Sequence, residues 1–102
     1  MKYDKLFETA KIGSLTLKNR FIMGAMGVGF AEMNGNPTDR TVAYYEERAK
    51  GGYALIITEV TRVQDTEFCT PLEPSLGSDK FIPGWKKVTD AVHAQGAYIF
   101  PQ

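Results

Sequence analysis

The alternation of three short apolar segments with two amphipathic ones constrains this sequence most. The apolar segments, 21–26, 54–58 and 97–100, are too short for helices and have the length of buried strands. Helical patterns cover 38–50 and a second stretch that begins near Asp79. Short apolar strands that alternate with amphipathic helices predict consecutive right-handed βαβ units on a parallel sheet. We therefore predict an α/β fold, although this pattern alone does not separate a barrel from an open doubly wound sheet.

Both helical patterns carry apolar residues on one face and have terminal signals. The first helix can be capped by Asn36 or Thr38 and can end at the pair Gly51–Gly52. The second ends at Gly96. The residues predicted to face the core are Val42, Tyr45 and Ala49 in the first helix and Trp85, Val88 and Val92 in the second.

The segment 6–19 precedes this alternation and has short apolar stretches on either side of Gly13–Ser14. That arrangement predicts a β-hairpin outside the main sheet. We accordingly divide the 102 residues into a hairpin at 1–20 and the first strands and helices of a β/α domain at 21–102.

Charge and composition narrow the classes of partner. Twelve basic residues balance twelve acidic ones, so no net field favours nucleic acid or an anionic membrane. The N-terminal residues contain no signal-peptide core or membrane span, and we expect a soluble, cytoplasmic protein with a small-molecule partner. A closed barrel of eight strands needs about 250 residues, well over twice this length.

Cys69 and His93 are the single cysteine and the single histidine. One copy therefore offers no internal disulfide, no cysteine cluster and no His/His pair. Cys69 lies in a loop predicted at 63–77 and shows no feature that would activate its thiol. A redox role would need a bound organic cofactor. The glycines at 24–29 lie in the first strand and its exit rather than in a turn that opens a helix, so a dinucleotide fingerprint has little support.

Four groups of residues, in order along the chain, share a pattern with one enzyme family. They are Leu6-Phe7 with 12–20, then 37–40 with 44–52, then 55–59, and finally 81–84 with 89–93. Together they resemble the FMN-binding β/α-barrel family of old yellow enzyme and its bacterial relatives, the enoate and 2,4-dienoyl-CoA reductases. The resemblance implies that the chain is the N-terminal portion of such an enzyme and supplies the first three strands of a TIM (β/α)8 barrel.

The resemblance also implies which residues face the cofactor. In such barrels the active site lies at the carboxyl ends of the strands. Carried over by position, Ala25, Met26 and Gly27 lie against the flavin ring, and Val60 approaches its edge. Gln102 matches a glutamine whose side-chain amide hydrogen-bonds the pyrimidine side of the flavin. The family commonly has proline at the position of Ala25 and a smaller residue at that of Val60.

The function implied by the resemblance is FMN-dependent reduction of activated C=C bonds in enones or enoyl thioesters, with NAD(P)H as reductant. The family's catalytic residues come from later strands, so no catalytic residue and no metal ligand is assigned here. A 4Fe–4S cluster, where the parent enzyme has one, would also use later cysteines.

The alternative is an inactive, truncated fragment that binds no flavin. Its exposed parallel-sheet edges would lead to a homo-oligomer, which could complete the barrel by self-association. A weaker alternative is a β/α-barrel enzyme that binds a phosphate group instead of a flavin.

Two further assignments concern side chains near the strands. Glu59 directly follows the second strand, and we expect an ion pair with Arg20 or Arg62 rather than a catalytic role. Of the adjacent Tyr44 and Tyr45, we expect one in the core and the other at the surface.

Overall fold

A computed structural model describes residues 2–64 and 70–102. Cys69 lies outside the described residues. The elements in chain order are α1 (Asp4–Phe7), β1 (Ala10–Ile12), β2 (Leu15–Leu17), β3 (Ile22–Met23), α2 (Asp39–Lys50), β4 (Leu55–Ile57), a 3₁₀ turn (Asp79–Phe81), α3 (Ile82–Ala94) and β5 (Tyr98–Phe100).

The N-terminal segment contains a helical turn as well as the predicted hairpin. β1 and β2 pair antiparallel, with Ile12 opposite Leu15. Gly13, between them, has φ +54°, a left-handed conformation that glycine adopts at little cost. The prediction that the hairpin starts at residue 6 is wrong, because the Leu6 N–H donates to the Tyr3 carbonyl at 3.0 Å and closes the turn of α1.

The main sheet has three parallel strands in the order β3-β4-β5. Paired positions such as Met23 and Ile56 place their side chains on the same face. That face packs against α2 and α3 and forms the larger core. The buried members of this core are Met23, Tyr45, Ala49, Ile56, Phe81, Trp85, Val88, Val92 and Ala97.

The opposite face of the sheet is covered only in part. Leu17 of the hairpin packs with Ala54 and Leu55 in a second, smaller core. Elsewhere on this face, Ile22 beside Leu55 and Phe100 at the end of β5 are 44% and 39% exposed. The prediction that the first strand is buried on both faces is therefore wrong, and the regular strand covers Ile22–Met23 rather than 21–26.

The helix boundaries follow the capping signals. Thr38 caps α2 by accepting the Thr41 N–H at 3.3 Å, and Thr41 Oγ1 accepts the Thr38 N–H in return. Gly52, just past the end of α2, has φ +112°, and Gly96, past α3, has φ +76°. Of the six residues predicted to face the core, Val42 alone is only partly buried.

The C-terminal part of the segment predicted as a loop at 63–77 contacts the end of the main sheet. Arg62 and Ser75 form an isolated parallel bridge, with the Arg62 N–H donating to the Pro74 carbonyl at 2.9 Å. The Trp85 indole N–H donates to the Ser75 carbonyl at 2.7 Å. Glu73 lies 3.9 Å from Arg62 Nε in a buried ion pair. This part of the segment is therefore ordered by the strand-end residues that it contacts.

No helix within residues 2–64 and 70–102 is long and apolar enough to cross a membrane. Nor do these residues contain a group of three or more His, Cys, Asp or Glu side chains that could hold a metal ion.

Candidate functional site

The carboxyl ends of the three parallel strands bring the predicted site residues to one edge of the sheet. β3 leads into 24–29, β4 into 58–62 and β5 into Pro101 and Gln102. Because the strands are parallel and adjacent, these three exits lie side by side in the order of the strands. Ala25, Met26 and Gly27 therefore share an edge with Val60 and Gln102.

Hydrogen bonds fix the main chain of Gln102 against the exit of β4. The Thr58 N–H donates to the Phe100 carbonyl at 2.8 Å, and the Thr61 N–H donates to the Gln102 carbonyl at 2.9 Å. The Gln102 N–H donates to Thr58 Oγ1 at 3.3 Å. These bonds place Gln102 beside the turn that carries Val60, while its side chain stays exposed.

The turn at 58–61 is closed by its own side chains. The hydroxyl groups of Thr58 and Thr61 both donate to the Glu59 carbonyl, each at 2.9 Å. Both threonines are buried. This turn holds the half-buried Val60 at a defined position on the edge.

Glu59 links the exit of β4 to the exit of β3. Glu59 is only 2% exposed. Its Oε2 accepts hydrogen bonds from the main-chain N–H groups of Val28, at 2.9 Å, and Gly29, at 3.1 Å. The Glu59 N–H donates to the Tyr45 hydroxyl oxygen at 2.9 Å. Glu59 Oε1 is buried and accepts no hydrogen bond from the described residues. The carboxylate is thus hydrogen-bonded to the main chain of the glycine-rich segment after β3.

The predicted ion pair of Glu59 with Arg20 or Arg62 is wrong. Arg20 pairs with Glu8 at the surface, at 3.3 Å, and Arg62 pairs with Glu73. Sequence reasoning missed the contact of Glu59 with main-chain N–H groups. The available signal was an acidic residue directly after a buried parallel strand, a position that faces the neighbouring strand's exit.

Tyr45 supports this arrangement from α2. It is 1% exposed, and burial, the largest effect, raises the pKa of the Tyr45 phenol to about 12. The Glu59 N–H bonded to its oxygen acts in the opposite direction. Tyr44 is half-buried and meets the Tyr45 ring edge-on at a centroid distance of 5.1 Å. The expected core position of one tyrosine is therefore confirmed at Tyr45, whereas Tyr44 is partly buried and packs against the same core instead of lying at the surface.

The exit of β3 presents bare backbone to open space. Ala25, Met26 and Gly27 are exposed, Met26 by 53%. A side-chain carbon built at Gly24 or Gly27 meets no atom within 4 Å. A flat aromatic ring could therefore approach this backbone closely.

Comparisons with known proteins agree with this geometry. The sequence pattern of the NADH:flavin oxidoreductase / NADH oxidase family matches residues 5–102. A metal reductase of Desulforamulus reducens is 40% identical over 100 residues, which cover 95% of this chain and 14% of that protein. A cinnamate reductase of Clostridium sporogenes is 39% identical over 106 residues, which cover 99% of this chain and 16% of that protein.

A solved structure shows the same fold. The old yellow enzyme homologue of Zymomonas mobilis superposes with a TM-score of 0.88 at 35% identity, over 96% of this chain and 27% of that one. The chain thus spans well under a third of each of these proteins, and its three strands form part of a β/α barrel. The chain belongs to the NADH:flavin oxidoreductase / NADH oxidase family, as a member of old-yellow-enzyme type.

Proposed function

We propose that the protein is an FMN-dependent, NAD(P)H-oxidising reductase of activated C=C bonds and that this chain supplies the first three barrel strands. The observation that carries the proposal is the shared edge formed by Ala25, Met26, Gly27, Val60 and Gln102 in a member of a flavin oxidoreductase family. The relative named cinnamate reductase supports the substrate class, because cinnamate has a C=C bond conjugated to a carboxylate.

Each of these residues has a distinct task in the proposal. The backbone of Ala25, Met26 and Gly27, with the side chains of the first two, would lie against the flavin ring. Val60 would contact its edge. The side-chain amide of Gln102 would bond the pyrimidine side, because an amide both donates and accepts hydrogen bonds and that ring edge alternates the two.

The chain's contribution is binding and orientation. A bound flavin supplies hydride chemistry, for which the protein sets the position and the hydrogen bonds. Groups that hold the substrate and deliver a proton would come from residues outside this chain. An iron–sulfur centre of the kind found in larger members would likewise need outside ligands, since the chain has one cysteine.

The test uses the protein expressed from its complete gene. We expect a yellow protein that releases FMN on denaturation and oxidises NADH or NADPH when an enone or an enoyl thioester is added under anaerobic conditions. A protein that stays colourless after addition of FMN, and oxidises neither nicotinamide with any such substrate, would overturn the proposal.

A matched pair of variants tests the task of Gln102. Gln102→Glu replaces the amide by a group that cannot donate when ionised, and we expect about ten-fold weaker FMN binding. Gln95→Glu makes the same chemical change past the end of α3, at the opposite edge of the sheet, and should leave FMN affinity unchanged. Equal affinities of the two variants would argue against the assigned contact.

A second candidate concerns the 102-residue chain by itself, and its basis is the uncovered face of the sheet. Ile22 and Phe100 on this face are large apolar side chains that are 44% and 39% exposed, and Met26 in the exit of β3 is 53% exposed. β3 and β5 each have a single strand neighbour within the described sheet. Open edges and an apolar face favour pairing with another copy, so we propose that the isolated chain forms a homo-oligomer without flavin.

Light scattering of the isolated chain tests this candidate. We expect species larger than a monomer, and Phe100→Lys should shift them toward the monomer. Lys87→Gln, on the exposed surface of α3, serves as a control that leaves the distribution unchanged. A monodisperse monomer that melts cooperatively would exclude self-association.

A further inference from the structure

We propose that Glu59 is a positioning residue that holds the flavin-facing segment 24–27 in its binding conformation. The inference rests on the proposed FMN site. Glu59 acts through its hydrogen bonds to Val28 and Gly29, the two residues that directly follow this segment.

The segment after β3 needs such a restraint. Regular strand pairing ends at Met23, and the path from there to α2 contains glycines at 24, 27 and 29. Glycine permits many backbone conformations, so the segment's shape is weakly determined by its own sequence. Gly29 has φ +71°, a conformation that the hydrogen bond to its N–H helps to select.

The chemistry of the contact suits a restraint. One carboxylate oxygen accepts two consecutive main-chain N–H groups, which fixes both the position and the direction of the backbone. Hydrogen bonds to an ionised acceptor are stronger than neutral ones, and burial shields them from water. In the described part of the chain, Val28 and Gly29 are the donors to this carboxylate.

The restraint is itself anchored. The Glu59 main chain is held by the Tyr45 hydroxyl on one side and by the Thr58 and Thr61 hydroxyls on the other. Tyr45 belongs to the main core. The position of the segment is thereby fixed by contacts to two rigid elements, α2 and β4, rather than by its own exposed residues.

The competing explanation is that Glu59 only satisfies two partly buried N–H groups and thus contributes to stability. The two explanations differ in what happens at the flavin. A positioning role predicts changes in the conformation of the segment and in the bound flavin that a destabilising substitution elsewhere does not cause.

The experiment compares Glu59→Ala and Glu59→Gln with Val88→Ala in the protein from the complete gene. Val88 is fully buried in the main core and contacts none of the site residues through hydrogen bonds. The first readout is hydrogen exchange of the Val28 and Gly29 amides in flavin-free protein. The others are the dissociation constant of FMN and the midpoint potential of the bound flavin.

In Glu59→Ala we expect the two amides to exchange about ten-fold faster or more, and FMN to bind about ten-fold more weakly with a shifted potential. Glu59→Gln keeps one acceptor oxygen and should recover part of each effect. It also keeps the side-chain volume, so it serves if the alanine variant does not fold. Val88→Ala should lower stability without changing the two amides selectively, the affinity or the potential.

The results separate the inference from the function on which it rests. Unchanged exchange at Val28 and Gly29 in both Glu59 variants would overturn the restraint, whether or not FMN binds. Faster exchange with unaltered FMN affinity and potential would overturn the positioning role while the proposed function stands. A wild-type protein that binds no FMN would overturn the proposed function and, with it, the role toward the flavin.

Discussion

Replacing Tyr45 by phenylalanine tests how α2 supports the edge of the sheet. The substitution keeps the ring of a side chain that is 1% exposed and removes the oxygen that accepts the Glu59 N–H at 2.9 Å. The buried N–H is then left without this acceptor. Such a loss costs about 1–3 kcal/mol, so Tyr45→Phe should unfold more easily than the wild type by that amount at neutral pH.

The difference should shrink in alkaline solution. The pKa of Tyr45 is about 12 in the folded protein, against 10 for an ordinary tyrosine. Because the folded pKa lies above the unfolded value, this contribution to stability is fully present below pH 10. It is lost as the pH rises through 12. By linkage the wild type loses about 2 kcal/mol at pH 12 through this group, and phenylalanine loses nothing.

Denaturant unfolding, followed by circular dichroism at a series of pH values, measures both effects. The free energies of the wild type and Tyr45→Phe should converge between pH 10 and pH 12. Tyr3→Phe removes a phenol from the exposed N-terminal turn and should keep the wild-type pH dependence. A gap between wild type and Tyr45→Phe that stays constant over this range would refute the reasoning.

Two further substitutions test the packing beside the site. Gly35 has φ +96°, and a side-chain carbon there would lie 2.7 Å from the Ser75 Cβ and against the Arg62 guanidinium, so Gly35→Ala should cost about 2–3 kcal/mol. Gly13→Ala is the control, because Gly13 has φ +54° but open space around it, and it should cost only about 1 kcal/mol. If denaturant unfolding gave the same loss of stability for both alanine variants, the predicted clash at Gly35 would be contradicted. Trp85→Phe removes the indole bond to the Ser75 carbonyl and should cost at least about 1 kcal/mol in the same measurement, whereas unchanged stability would show that the bond contributes nothing.

The features that the sequence predicted well are those encoded by local periodicity. The apolar faces of α2 and α3 agree with the structure because burial repeats every three or four residues along a helix. Thr38, one of two proposed caps, does cap α2. The family-level expectation also needed only the order of short motifs, and residues 5–102 match the family.

The features that it could not predict depend on contacts between distant segments. Charge alone suggested an arginine as the ion-pair partner of Glu59. The observed partners are the main-chain N–H groups of Val28 and Gly29, which are 31 and 30 residues away in the sequence. Only the path of a glycine-rich exit brings Val28 and Gly29 to the carboxylate, and no local pattern encodes that path. The exposure of Ile22 was missed for a similar reason, since no local pattern shows that the hairpin covers Leu55 and leaves Ile22, its neighbour on the adjacent strand, exposed.

The central position of β4 explains why its exit organises the candidate site. It is the one strand of the described three-stranded sheet with a neighbour on each side, so groups just past its end can reach both adjacent exits. Glu59 uses its side chain toward the β3 side, at Val28 and Gly29, and Thr58 and Thr61 bond Gln102 on the β5 side. Because both sets of bonds start from one closed turn, the spacing of the two exits is set by β4. In the proposed flavin site, a rigid turn would keep the two exits at the separation that a flat ring contacting both of them requires. Neither Glu59 nor the threonines are proposed to touch the flavin themselves.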